Sequence, residues 1–173
     1  MPKHQDSKQV AYAAARAIDD KKGSDIVIQY VGDLLSMTDW FVIATAANKR
    51  RADAIADEVL EQLREKLDVR PVSREGVEEG RWILLDYGGV VVHVFQPSER
   101  DFYRLEQLWD EAPTLGAAAA GIEDPVYSER IATLLARQGE AAEEGQAPGA
   151  APDAETSEAS DPADSPAAAT PVE

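Results

Sequence analysis

The apolar and polar residues of this chain alternate with two different periods, which predict an ordered series of helices and strands. Apolar residues recur every three or four positions over residues 7–22, 48–67 and 98–110, which predicts three amphipathic helices. Alternation over 25–31 predicts a strand, and the continuous apolar run 40–45 predicts a strand covered on both faces. Residues 70–72 are predicted to form a short strand at the edge of the sheet, because Pro71 has no N–H to donate to a neighbouring strand. The charged residues 73–80 are predicted to form a loop.

Six side chains are expected to set the ends and faces of these helices. Ser7 and Asn48 stand where a capping side chain begins a helix. Phe102, Leu105, Leu108 and Trp109 are expected to share one side of the last helix.

Residues 82–95 are predicted to form a β-hairpin with a two-residue turn at Gly88-Gly89. In that register Leu84 lies opposite His93 and Asp86 opposite Val91, and successive side chains point to opposite faces. The first face carries Trp82, Leu84, Asp86, Val91, His93 and Phe95; the second carries Ile83, Leu85, Tyr87, Val90, Val92 and Val94 and is typical of core. The first face is either covered by helices, with Asp86 and His93 as a structural pair, or open to a partner with Trp82 as anchor. The residues alone favour a covered face, because most apolar strand residues are core.

The order of these elements predicts an α/β fold in which helices pack on one mixed β-sheet. Nearly all aromatic residues precede Pro113, so residues 1–112 are predicted to be one domain. Residues 113–138 are predicted to be a linker in which 127–137 could form a short amphipathic helix. Residues 139–173 contain nine acidic residues, no basic residue and no Leu, Ile or aromatic residue, which predicts a disordered acidic tail.

Composition narrows the classes of function. The formal net charge of −16 argues against general nucleic-acid binding and favours a positively charged partner. The absence of cysteine excludes disulfides and thiolate metal sites and agrees with a reducing compartment. No apolar run approaches the about 20 residues that span a bilayer, and the N-terminus does not resemble a secretory signal. A cytoplasmic protein without membrane contact is therefore expected.

The residues suited to catalysis lack partners at the required spacing. Asp86 and His93 have no nucleophile in a recognisable motif, and the chain has only two histidines to offer a metal. The segment 23–25 resembles the opening of nucleotidyltransferase sites, but Val27 stands where the second Mg²⁺-binding carboxylate is needed. No catalytic residue, cofactor or metal is predicted, and a nucleotidyltransferase-related enzyme is the alternative.

A basic cluster opens the second predicted helix. Lys49, Arg50 and Arg51 stand at a helix N-terminus, where free N–H groups can hold a phosphate. The other interpretation is a solvated first turn on an acidic protein.

Three blocks of sequence resemble the ribosomal silencing factor family, also called Iojap-like proteins. The first block is residues 36–45 (SMTDWFVIAT). The second lies within residues 75–95 and consists of Glu75-Gly76, GRWILLDYG (80–88) and VVVHVF (90–95). The third is the set Arg100, Tyr103, Leu105, Glu106, Leu108 and Trp109. The resemblance covers roughly residues 10–110, leaving the chain from Pro113 onward outside it. It implies a domain that has a nucleotidyltransferase-like fold but is not an enzyme.

The resemblance also implies a function and a binding surface. Members bind the large ribosomal subunit through its ribosomal protein number fourteen, block joining of the ribosomal subunits and so repress translation, with a link to large-subunit biogenesis. Their docking surface includes the positions of Trp82, Asp86 and Tyr87, which favours an open first face; the neighbours Leu84 and His93 complete the predicted surface. Minor contact of the basic cluster with ribosomal RNA, and a homodimer, are further expectations.

Two positions depart from the family pattern. Gly89 stands where the family usually has Asp, so any contact by that carboxylate is absent here. Residues 46–49 replace a Gly/Ser-rich segment, so roles assigned to that segment are not transferred.

Overall fold

A computed structural model describes the backbone of residues 6–144 and the side-chain surroundings through residue 139. The helices are α1 (Ser7–Asp20), α2 (Lys49–Leu67), α3 (Pro97–Tyr103), α4 (Leu105–Leu108) and α5 (Glu129–Glu144), with a 3-10 turn at Ala117–Ala120. The strands are β1 (Ser24–Tyr30), β2 (Trp40–Thr45), β3 (Ser73–Glu75), β4 (Trp82–Asp86), β5 (Val90–Phe95) and β6 (Thr114–Gly116).

The six strands form one mixed sheet in the order β3-β4-β5-β2-β1-β6. The β2–β5 pair is parallel, and the other neighbours are antiparallel. Helices α1 and α2 cover one face, where the larger apolar cluster lies. A smaller cluster on the opposite face lies under the chain from α3 to Ala112 and under α5. The predicted mixed α/β fold is confirmed.

The two long helices begin at residues that cap their free N–H groups. Asn48 Oδ1 accepts from Arg51 N at 2.9 Å, as its position predicts. The cap of α1 is Asp6, whose Oδ1 accepts from Lys8 N at 3.1 Å, so the prediction that Ser7 is the cap was wrong by one residue. The inner side of α1 is rich in fully buried alanines, which bring this helix close to the sheet.

The β4–β5 hairpin has the predicted register. Leu84 lies opposite His93 and Asp86 opposite Val91, and Tyr87 N donates to Val90 O at 2.8 Å. Gly88 has φ +82°, a conformation that favours glycine in a tight turn. Asp86 Oδ1 accepts from Gly88 N at 2.8 Å and stabilises that turn.

The edge strand and the last helix differ from the prediction. The edge strand is β3, directly after the predicted residues 70–72 and within the predicted loop. The predicted helix 98–110 is split into α3 and α4 by Arg104, which has φ +47°. In one unbroken helix, Arg100 and Glu106 would lie on different sides and about 9 Å apart along the axis. The break brings their side chains together and leaves Phe102 and Leu108 exposed, at 79% and 67%, where the prediction had them share the covered side.

The segment predicted to be a linker contributes to the domain. Strand β6 pairs with β1, and Tyr127 Oη donates to Ile26 O at 3.0 Å. Ile131 of α5 is fully buried in the smaller apolar cluster. Helix α5 continues to Glu144, so residues 139–144, predicted to belong to the disordered tail, are helical; the rest of that predicted tail lies outside the described residues.

A buried ion cluster joins α3, α4 and α5 to the ends of β1 and β2. Arg100 Nε lies 3.1 Å from Glu106 Oε2, and both side chains are at most 2% exposed. Arg100 Nη1 also donates to Asp25 O at 2.9 Å and to Thr45 Oγ1 at 3.1 Å. Arg130 of α5 binds the other oxygen of Glu106. Burial lowers the pKa of Arg100, and the nearby Glu106 opposes that shift.

The substitution Arg100→Met is expected to lower the free energy of unfolding by about 3 kcal/mol, because Glu106 would stay buried with one of its two cationic partners gone. The control Glu65→Gln removes the exposed Arg64–Glu65 pair and should cost no more than about 0.5 kcal/mol. Urea unfolding followed by circular dichroism measures both. Equal losses in the two variants would contradict a structural role for the buried cluster.

Candidate partner-docking surface

The sheet face opposite α1 and α2 is covered unevenly. Chain segment 97–112 lies over β1 and β2, where Gln29 Nε2 donates to Glu106 O at 2.7 Å. Toward β3 this cover ends, and four side chains of the hairpin's first face remain half-exposed. We call them the open face: Trp82, Leu84, Asp86 and Val91.

The edge strand β3 extends the open face with polar groups. Glu75 pairs with Leu84, and Ser73 pairs with Asp86. Directly paired residues point to the same side of a sheet, so Glu75 lies beside Leu84 on the open face. Both β3 residues are exposed. The surface therefore combines an indole and two aliphatic side chains with two carboxylates.

Asp86 serves the turn and the surface at the same time. Its Oδ1 accepts from Gly88 N, and within residues 6–144 its Oδ2 takes part in no hydrogen bond or ion pair. One carboxylate oxygen holds the loop, and the other is available to a cationic partner group.

His93 lies behind Trp82 and only 4% of it is exposed. Its Nδ1 accepts from Trp82 Nε1 at 3.1 Å, so the neutral ring carries its proton on Nε2, which is buried and has no partner within the described residues. Burial, and secondarily the charge of Arg100, lower the pKa of His93 to about 3. The expected Asp86–His93 pair is not formed within this part of the chain; the histidine orients the indole instead.

Aromatic rings fix the other side of Trp82. Its ring stacks on Phe95 with centroids 4.7 Å apart, and Tyr103 lies 4.8 Å away. Tyr103 is half-exposed and contacts the exposed Phe102 edge-on at 5.0 Å. Helix α3 thus borders the open face with two aromatic side chains, one of which the sequence pattern had assigned to the covered side.

Tyr87 points to the opposite side of the sheet. It is half-buried against the larger apolar cluster, and its hydroxyl is buried without a partner in the described part of the chain. Burial raises the pKa of this hydroxyl to about 12. The structure thus brings together Trp82, Leu84 and Asp86 of the predicted docking residues, and places Tyr87 and His93 off this surface.

Two of the three side chains of the basic cluster are engaged within the domain. Lys49 pairs with Asp53 at 2.8 Å, and Arg51 donates to Lys21 O at 3.3 Å. Asn48 already occupies the N–H of Arg51. Arg50 is exposed, and its side chain makes no ion pair or hydrogen bond among residues 6–144. Of the three basic side chains of this cluster, it is therefore the most available to a phosphate.

The sequence pattern did not predict the positions of two contributors to this surface. Glu75 belongs to a residue run that was expected to be a loop, so its pairing with Leu84 could not be read from periodicity. Tyr103 lies 4.8 Å from Trp82, a contact between two elements that the periodicity of α3 alone does not reveal. Residues 73–75 are all polar, so no apolar alternation marked the edge strand.

The enzyme alternative depends on Asp25, whose side chain is already engaged within the domain. Asp25 is buried, and its Oδ1 accepts from Ser128 N at 2.6 Å. Among residues 6–144, no three His, Cys, Asp or Glu side chains cluster as a metal ion requires. None of the helices in this range combines the length and apolar composition needed to cross a bilayer.

Comparison with known proteins points to one family. The family described as "Ribosomal silencing factor during starvation" matches residues 4–160, well beyond the residues 10–110 on which the resemblance was seen. A Bacillus subtilis ribosomal silencing factor is 39% identical over 106 residues, which are 61% of this chain and 89% of that protein.

A solved structure and a eukaryotic relative agree with this match. A crystal structure of a Chromobacterium violaceum protein superposes with a TM-score of 0.59 at 37% identity, covering 61% of this chain and 87% of that one. A mouse protein named for mitochondrial assembly of the ribosomal large subunit is 31% identical over 87 residues, 49% of this chain and 38% of its own length.

The low pKa of His93 predicts a pH dependence of stability. The folded value of about 3 lies below the ordinary 6.5, so between these values the unfolded chain binds the proton more readily and stability falls as pH falls. From about pH 7.5 to about pH 5 this group should remove about 2 kcal/mol. In His93→Gln, whose amide oxygen can still accept from Trp82, the loss over that range should be smaller by this amount. Urea unfolding at each pH measures it, and identical pH dependence in both proteins would refute the assignment.

Proposed function

We propose a function from one premise: this chain belongs to the ribosomal silencing factor family. Its role is ribosome silencing, and the finer mechanism that we propose is steric. The open face docks on the large ribosomal subunit through its ribosomal protein number fourteen. The bound domain then occupies the surface that the small subunit needs, so the subunits do not join and translation is repressed.

The observation that carries this proposal is the uneven cover of the sheet. Trp82 and Leu84 present apolar area next to the carboxylates of Asp86 and Glu75. Aromatic and aliphatic side chains of this kind supply binding energy when a partner removes them from water. The carboxylates select a partner with positive charge, which ribosomal proteins that contact RNA commonly carry.

The geometry supports different roles for the predicted docking residues. Trp82, Leu84 and Asp86 contact the partner. His93 holds the indole from behind, and Tyr87 supports the turn end of the hairpin from the helix side.

A part in assembly of the large subunit is supported by the mouse relative's name. The same occlusion would act on maturing subunits. A homodimer stays a prediction.

The enzyme alternative is less favoured because Asp25, the one carboxylate it could use to bind Mg²⁺, already accepts a hydrogen bond within the domain. Asp25 bonds Ser128 N through Oδ1, and its backbone carbonyl accepts from Arg100. Val27, which stands at the second carboxylate position, is fully buried. These contacts support a domain that binds and does not catalyse.

The substitution Asp86→Arg should abolish co-sedimentation with purified large subunits, because it places a cation against a basic partner. Glu61→Arg makes the same change of charge on the exposed side of α2 and should leave binding near the wild-type level. Asp86→Asn retains the turn oxygen that accepts from Gly88 N and should weaken binding by roughly tenfold. Circular dichroism confirms folding. Full binding by Asp86→Arg would exclude the open face as the docking site.

Contact of the basic cluster with ribosomal RNA is tested by salt dependence. Log affinity falls as log salt rises, and each phosphate contact makes this slope steeper. If Arg50 binds a phosphate, Arg50→Ala should make the slope shallower by about 0.9 or less. Arg64→Ala, an exposed arginine at the other end of α2, is the matched control and should leave the slope unchanged. Affinities measured by sedimentation at several potassium chloride concentrations give both slopes, and an unchanged slope in Arg50→Ala would remove RNA from the proposal.

A further inference from the structure

A small pocket of about 220 Å³ lies at the start of β4, next to the open face. Six residues line it: Gly76, Glu79, Arg81, Trp82, Glu99 and Tyr103. Two of them are the aromatic rings whose centroids lie 4.8 Å apart, and two are glutamates. Aromatic faces together with carboxylates attract cations.

The indole of Trp82 offers this pocket its ring and no hydrogen. Its N–H donates to His93 Nδ1, on a side chain that is 4% exposed, so that N–H is directed into the domain. A ligand group in the pocket therefore meets the ring of Trp82 and not its donor, and the negative face of an indole favours a positive charge.

The loop over the pocket is held in place by its glycines. Gly76 has φ +75°, and a Cβ there would lie 1.9 Å from Trp82 O, so only glycine fits against the strand. Gly80 N donates to Gly76 O at 2.9 Å, and Gly80 O accepts from Gln96 Nε2 at 2.9 Å. The segment that carries Glu79 thus packs against Trp82 at Gly76 and is hydrogen-bonded to Gln96 at Gly80.

The charges around the pocket favour a cation in spite of Arg81. Glu79 is exposed, Glu99 is half-buried, and Arg81 is exposed. Neither glutamate pairs with a cation within residues 6–144; Glu99 Oε2 accepts only from Ser98 Oγ, at 2.7 Å. Arg81 is not stacked on either ring, so the aromatic faces are free of an internal cation in this part of the chain.

We infer that this pocket receives a lysine or arginine side chain of the protein on which the open face docks. The inference rests on the proposed function for the identity of that protein, but the affinity of the pocket for a cation is independent of it. The pocket extends the open face, so one partner segment can place an apolar group on Leu84 and a cation beside Trp82.

The probes are three blocked tripeptides, acetyl-Gly-X-Gly-amide, in which X is arginine, lysine or citrulline. Citrulline has nearly the shape of arginine without its charge. Titration of the full ¹⁵N-labelled chain is followed at the indole resonance of Trp82, assigned by its loss in Trp82→Phe. The arginine and lysine peptides should shift it saturably, and citrulline should bind roughly threefold or more weakly.

Variants of the lining separate charge from shape. The double variant Glu79→Gln, Glu99→Gln should lose the preference for arginine over citrulline, whereas Arg81→Gln should bind the arginine peptide more tightly. Glu61→Gln is the distant control and should behave as wild type. Equal binding of arginine and citrulline, or no shift at Trp82, would overturn the inference.

Co-sedimentation of the same proteins with large subunits distinguishes the two proposals. Wild-type co-sedimentation without a preference for arginine over citrulline would reject the cation pocket and leave the docking function intact. A preference for arginine without co-sedimentation would reject the docking function and leave the pocket intact.

Discussion

The register of the β4–β5 hairpin is the constraint on which the binding surface depends. Side chains of a strand alternate between faces, so a shift by one residue would exchange the core set for the surface set. The two-residue turn, with Gly88 at positive φ and Asp86 Oδ1 accepting from Gly88 N, fixes that register. Burial of Ile83, Leu85 and Val92 against α1 and α2 enforces the same register from the other side. Two independent restraints therefore place Trp82, Leu84 and Asp86 on the opposite face.

A second constraint decides how much of that face stays open. The chain after β5 is drawn toward β1 by Arg100, which needs Glu106, Asp25 O and Thr45 Oγ1 to satisfy its buried charge. The contact with Glu106 requires the break at Arg104, and after the break the chain packs over the β1 and β2 side of the sheet. Arg130 then draws α5 onto Glu106 and completes the cover over the β1 side. The open face is a consequence of where a buried charge finds its partners.

These two constraints differ in how well they can be predicted from the sequence. The hairpin, β2 and α2 could be predicted nearly to the residue because local periodicity, a Gly-Gly turn and a capping Asn all act over short distances. The split of the last helix, strand β6 and the docking of α5 could not, because they depend on contacts between residues far apart in the chain, such as Ile26 with Tyr127. At the site, the faces of Trp82 and Asp86 followed from alternation. The role of His93 did not, because which nitrogen meets which neighbour is set by packing and not by spacing.

The chemistry that the open face can recognise follows from which of its polar atoms are already engaged. The donor of Trp82 is used by His93, and one oxygen of Asp86 is used by the turn. What is left for a partner consists of aromatic faces, aliphatic side chains and carboxylate oxygens, and these accept hydrogen bonds or attract positive charge. Such a surface cannot bind a carboxylate or a phosphate well, because it has few donors to offer them. The net charge of −16 attracts cations from a distance but does not choose among them; the choice comes from internal hydrogen bonds that leave the surface with acceptors.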